Sequence, residues 1–193
     1  KSQLVLVAQH SQAEIPHMDC VLISKRATTL EEVPAACEVQ TVSVPSVGPD
    51  DVEVQIKAFT TSFPDMLQIL GQYQIKPPLP FCPGNEYSGI ISKVGSNVEH
   101  LNVGDRVFGG GAVVDFGAFS SVKVARAAIV KRMPSNLSFE QGASLNIGFG
   151  TAHYALKYLA RLQPGEVVLV HAAAGGTGLA AVQVAKAMGA TVI

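Results

Sequence analysis

The sequence predicts two fold classes in succession, an α+β domain built on short strands and then the opening of an α/β domain with a parallel sheet. Three observations carry this. Short apolar or alternating runs separated by Gly- and Pro-rich turns fill the first two-thirds of the chain. Two helical segments then follow one another. The last stretch, GEVVLVHAAAGGTGLAAVQVAKAMGATVI at residues 165–193, reads as strand, glycine turn, helix and the start of a second strand.

The first strand of the α+β part is read at residues 20–24 and a β pattern at 38–59. Within the latter, Val52, Val54, Ile56 and Ala58 alternate with Glu53, Gln55 and Lys57, as in an antiparallel strand with one face in water. Pro64-Asp65 opens a short helix that Gly71 closes, and four prolines make residues 75–83 a loop. Strands are predicted at 87–94, 106–109, 118–125 and 128–131, and together they suggest a compact barrel-like domain. Ser138 with Gln141 forms a capping box at the start of one helix, and a second helix spans about residues 150–162.

In the final stretch, Val167 to Val170 is rich in β-branched residues, as a strand buried on both faces is. The helix after it carries only Gln183 and Lys186 as strong polar groups up to Met188, which predicts burial nearly all round. Unpaired N–H groups at a helix start suit a pyrophosphate. Gly175 leaves the approach to them open and Gly178 allows close packing on the strand, although Ala173 stands where the fingerprint has its first glycine. The residue that selects NAD or NADP is expected about 20 residues past the glycines, beyond Ile193. A doubly wound sheet does not close on one strand and one helix, which predicts further residues after this point.

Composition narrows the function classes. The 193 residues are 48% apolar and 15% charged with net charge -1, which gives no electrostatic support to a nucleic-acid or anionic-lipid partner. No apolar run reaches the ~20 residues of a membrane span. The 3 cysteines lack CxxC spacing, and the 5 histidines lack ligand spacing. No nucleophile elbow or phosphate-loop lysine is present, so hydrolase and NTPase readings fall away. Free thiols point to a reducing compartment, cytoplasmic or organellar. Residues 1–17 read as an extension or the remnant of an upstream domain.

Three blocks in order, PFCPGNEYSGIISKVGSNVEHLNVGDRVFG, GTAHYAL and VLVHAAAGGTGLAAVQVAKAMGA, resemble the medium-chain dehydrogenase/reductase superfamily, and within it the zinc-free quinone oxidoreductase branch related to ζ-crystallin. The resemblance implies a GroES-like β-barrel domain over residues 18–147. It implies a connecting helix and the first part of a Rossmann domain over 148–193. It implies NADPH as cofactor, with Gly175, Gly176, Thr177 and Gly178 at the pyrophosphate, Thr151 near the nicotinamide half and Ser62 as a further cofactor contact. Tyr73 and Ser62 are expected to polarise an acceptor oxygen while hydride passes to a quinone or an α,β-unsaturated carbonyl. Two departures are visible: Ser62 replaces the branch's usual asparagine, and Leu67 replaces a tyrosine found in some members. Zinc is not expected, because the stretch AFTTSFPD lacks the cysteine of the alcohol dehydrogenases and Asn85 replaces their histidine. The buried acid Glu86 is read as structural. Alternatives are an enoyl-thioester reductase module of a larger chain, or a non-catalytic crystallin-like or RNA-binding protein. A homodimer is expected through the part of the nucleotide domain past Ile193.

Overall fold

The computed structural model describes residues 16–111 and 116–193. The reading of residues 1–17 as an extension therefore lies almost wholly outside the described residues. β1 (His17–Leu22) and, after the short helix α1 (Val33–Ala36), β2 (Glu38–Ser43) form an antiparallel pair. β3 (Asp51–Phe59) leads into α2 (Phe63–Ile69), and the Pro-rich loop delivers the chain to β4 (Glu86–Val94). β5 (Arg106–Gly110), β6 (Val122–Arg126) and β7 (Lys131–Arg132) complete an antiparallel sheet in the order β6-β3-β4-β5-β7. Among the described residues these sheets do not close into a barrel. Isolated pairings of Cys20 with Ser120 and Ile23 with Phe81 tie β1 to the larger sheet and the loop instead.

Two expectations in this domain need correction. Residues 128–131 are not a strand: Ala127–Ile129 makes a tight helical turn and only Lys131–Arg132 pairs, with β5. Glu53 is buried rather than solvent-facing. β3 lies inside the sheet, and the carboxylate accepts hydrogen bonds from Ser92 Oγ at 2.8 Å and Lys93 Nζ at 2.7 Å. In the core of this domain, Val52 and Val54 of the alternating strand pack with Tyr87, Ile91, Leu101 and Val107. At about 25 cal/mol per Å² of apolar surface removed from water, side chains like these dominate the domain's stability.

α3 (Phe139–Ala143) carries the predicted capping box, Gln141 N–H donating to Ser138 Oγ at 3.2 Å and Ser138 N–H to Gln141 Oε1 at 2.9 Å. The second helix starts earlier than its pattern suggests. Wide turns at Leu145–Phe149 and Tyr154–Leu159 flank α4 (Gly150–His153) in one continuous run. β8 (Val167–Val168) then pairs in parallel with β9 (Thr191–Val192), and α5 (Gly176–Ala187) crosses between them. This is the predicted strand–helix–strand unit. Its burial differs from expectation, however: Val167 is 63% and Leu169 62% exposed, and in α5 only Ala180 and Ala185 are buried. A parallel strand is buried on both faces only when helices cover both, and among the described residues α5 alone lies against this pair.

Candidate functional site

A cleft of ≈ 620 Å³ opens between the end of β3 and the start of α5. One wall is Thr60, Thr61, Ser62 and Phe63, the other Gly176, Thr177 and Gln183, and Glu86 with Ile147 forms the floor between them. Two segments 114 residues apart in sequence thus meet across one opening, as the predicted cofactor contacts require.

The α5 wall begins at Gly175, whose φ of -75° and ψ of 160° put it in extended conformation as N-cap. A Cβ on Gly176 would meet nothing within 4 Å, so the space in front of the helix start is open. A Cβ on Gly178 would run into the backbone of Ala172 and Ala173. Gly178 is therefore the close-packing glycine, as expected, and Gly175 and Gly176 keep the approach to the N–H groups clear. The chain reaches this turn through Ala172 at φ +51°, a left-handed conformation that alanine rarely adopts.

The Ser62 wall is built on a buried carboxylate. Asp65, 3% exposed at the start of α2, accepts from Ser62 N–H at 2.7 Å and Ser62 Oγ at 2.6 Å, and from the Asn85 side-chain amide. Burial raises its pKa above the ordinary 3.8, while the hydrogen bonds from Ser62, Asn85 and the Gly84 N–H pull the other way. The Ser62 hydroxyl proton is thus already committed to Asp65, and what Ser62 presents to the cleft is acceptor capacity. That favours a hydroxyl or amide N–H as its partner over an acceptor carbonyl. The Ser-x-x-Asp spacing at residues 62–65 is a cap signature that would have found Asp65 from sequence.

Glu86, 6% exposed on β4, is bonded to both neighbouring segments. Its Oε1 accepts the Ile147 N–H at 2.5 Å and its Oε2 the Thr60 hydroxyl at 3.2 Å. Burial raises its pKa first of all, opposed by hydrogen bonds from Ile147, Thr60 and Asn146.

The structure does not bring all predicted site residues together. Thr151 faces a second cavity of ≈ 720 Å³, lined also by Gly110, Gly111, Asn146 and Tyr154, which shares only Ile147 with the cleft. Tyr73 lies past the far end of α2, half-buried, its N–H donating to the Leu67 carbonyl at 3.1 Å, and is not part of the cleft lining. Helix α2 separates Ser62 from Tyr73 along the chain, and of the two only Ser62 is among the residues lining the cleft. At the position of the alcohol dehydrogenases' histidine, Asn85 is 6% exposed and bonded to Asp65. Among the described residues no group of three or more His, Cys, Asp or Glu side chains is arranged to hold a metal. No described helix is long and apolar enough to cross a membrane.

The chain is similar to several known proteins. Residues 48–135 match the alcohol dehydrogenase GroES-like domain. Quinone oxidoreductase-like protein 2 of Mus musculus is 42% identical over 160 residues, covering 83% of this chain and 45% of that one. The pikromycin polyketide synthase component PikAII of Streptomyces venezuelae is 43% identical over 165 residues, 85% of this chain and 4% of that one. The crystal structure of Escherichia coli quinone oxidoreductase complexed with NADPH superposes with a TM-score of 0.80 at 35% identity, covering 90% of this chain and 51% of that one. The chain therefore spans about half the length of the quinone oxidoreductase-like proteins it matches.

Proposed function

Because this chain belongs to the quinone oxidoreductase branch of the medium-chain dehydrogenase/reductase superfamily, we propose that it forms the substrate-side domain and the cofactor cradle of an NADPH-dependent reductase. The acceptor is a quinone or an α,β-unsaturated carbonyl, reduced without zinc. The observation that carries the reading is the cleft in which Ser62 faces the open glycine turn of α5.

A dinucleotide fits the residues present. The first N–H groups of α5 have no intrahelical partner and lie behind Gly175 and Gly176, where a pyrophosphate makes charge-assisted hydrogen bonds with them. Thr177 adds a hydroxyl at the same end. Ser62, held by Asp65, accepts from a ribose hydroxyl or the nicotinamide amide. Bound here, the reduced nicotinamide supplies a hydride, and the chain's own part is to orient it and keep water out. Phe63, Phe149 and Leu179 add apolar surface to the lining, which suits a flat, electron-poor acceptor. The donor set favours no metal: Asp65 is saturated by hydrogen bonds and its neighbour is an amide.

A second reading, an enoyl-thioester reductase, is favoured by the similarity to a polyketide synthase component. Fluorescence titration of the purified full-length protein with NADPH and NADH tests the common part. Selective NADPH binding supports it, and failure to bind either nucleotide overturns it in favour of a non-catalytic role. Steady-state turnover with 1,4-benzoquinone against crotonyl-CoA then separates the two acceptors.

A further inference from the structure

The cleft has two walls that come from different structural units, and its geometry depends on what joins them. Thr60 follows the end of β3 and Ser62 caps α2, whereas Gly176 and Thr177 start α5. The contacts from one wall to the other can be followed residue by residue. Thr60 donates its N–H to the Glu86 carbonyl at 3.4 Å and its hydroxyl to Glu86 Oε2 at 3.2 Å. Glu86 Oε1 accepts the Ile147 N–H at 2.5 Å. Gly148, the next residue, lies against α5: a Cβ there would stand 3.6 Å from the Gly176 carbonyl oxygen and 3.8 Å from Ala180 Cβ. A single carboxylate thus links the segment two residues before Ser62 to the segment packed on the glycine turn.

The same carboxylate caps a helix. Asn146 and Ile147 lie in the first turn of the helical run that starts at Leu145, where N–H groups lack partners within the helix. Glu86 supplies the acceptor from another element and places a negative charge at the helix's positive end. It lines the cleft, and the bonds from Ile147 and Thr60 engage both of its oxygens, so its contacts are with the two walls themselves.

We infer that Glu86 is a positioning residue that sets the distance between the Ser62 wall and the glycine turn, and through it the affinity for the dinucleotide. The inference rests on the functional reading above. A displacement of about 1 Å between binding groups costs up to a hundredfold in function, so loosening this link reaches the ligand without any contact between Glu86 and the ligand.

The test compares Glu86→Ala, Glu86→Gln and Thr60→Val in the full-length protein, with the dissociation constant for NADPH and the thermal midpoint read for each. Gln keeps an acceptor for the Ile147 N–H, and its amide can donate to the Thr60 hydroxyl. The expected result is about tenfold weaker NADPH binding for Glu86→Ala, with Glu86→Gln within about threefold of wild type. A role confined to folding lowers the thermal midpoint but leaves the dissociation constant of the folded protein unchanged, and that result overturns the inference. Equal loss in Glu86→Gln and Glu86→Ala overturns it too, since the charge rather than the hydrogen-bond geometry would then matter. If Glu86→Ala does not fold, Thr60→Val decides: weakened binding supports the link and unchanged binding overturns it. A wild-type protein that binds no NADPH sinks the functional reading itself, whereas wild-type binding matched by Glu86→Ala sinks this inference alone.

Discussion

Arg161 and Ala172 both hold positive φ, +55° and +51°, where an L side chain crowds its own backbone. Arg161 ends the helical run, directly before the Leu162 N–H reaches back to the Leu156 carbonyl at 2.9 Å. Glycine meets that geometry without strain, so Arg161→Gly is expected to stabilise the protein by about 0.5–1 kcal/mol, while Arg161→Ala gives no gain. Urea unfolding of the two variants checks this. Cys82 sits at the other extreme of chemical reactivity, because burial pushes its thiol up to about 12. It carries almost no thiolate at neutral pH. In the native protein Cys82 is expected to react with a disulfide reagent only on unfolding, a pattern that residue-resolved mass spectrometry detects. Neither feature is written in the local sequence. The replacement of the first fingerprint glycine by Ala173 is visible there, but the positive φ falls at Ala172, whose carbonyl lies under Gly178.

Helices and strands follow the sequence where their determinants are local. The Ser138–Gln141 box, the closure of α2 by Gly71 at φ +65° and the β8–α5–β9 order are all of this kind. They are missed where the determinants lie elsewhere in the fold. Glu53 alternates correctly, yet it is buried by its partners on β4. The helical run begins at Leu145, and the acceptor for its Ile147 N–H is Glu86 on β4. In α5 the glycines have separable jobs. Gly178→Ala forces the new methyl into the Ala172 backbone and is expected to cost on the order of 2 kcal/mol. Gly176→Ala adds a methyl to open space and is expected to leave stability unchanged while weakening NADPH binding. Thermal unfolding and nucleotide titration of the pair distinguish them. Loss of stability in both, or of affinity in neither, contradicts the assignment of roles.

Across the whole molecule, the two buried carboxylates of the cleft set a pH dependence. Glu86 and Asp65 have folded pKa values raised above their ordinary 4.5 and 3.8. Between the ordinary and the raised value the native state binds more protons than the unfolded chain, so each group draws stability away as pH rises through that window. Glu86→Gln removes one such contribution. Its thermal midpoint is therefore expected to gain on wild type as pH rises above 4.5 and then to hold a constant lead. A difference that stays flat across the window contradicts the assignment. At this scale the glycine turn lies inside a block that carries the resemblance and Ser62 in the segment TTSFPDMLQILGQY, and both line the cleft. The places of Thr151 and Tyr73, and Glu86's junction with Ile147, depend on how helices pack over distance, which a linear pattern does not encode.

The Glu86–Ile147 hydrogen bond also has a bearing on time. It spans 61 residues of chain, and closing a loop of that size costs entropy before any contact repays it. The β3–β6 ladder of the same sheet joins still more distant residues, Asp51 with Arg126, so the link is set on a scaffold whose own contacts are as non-local as it is. A ligand that bridges the two walls, as proposed, binds only the assembled cleft, and its concentration is therefore expected to raise the stability of the folded protein by mass action.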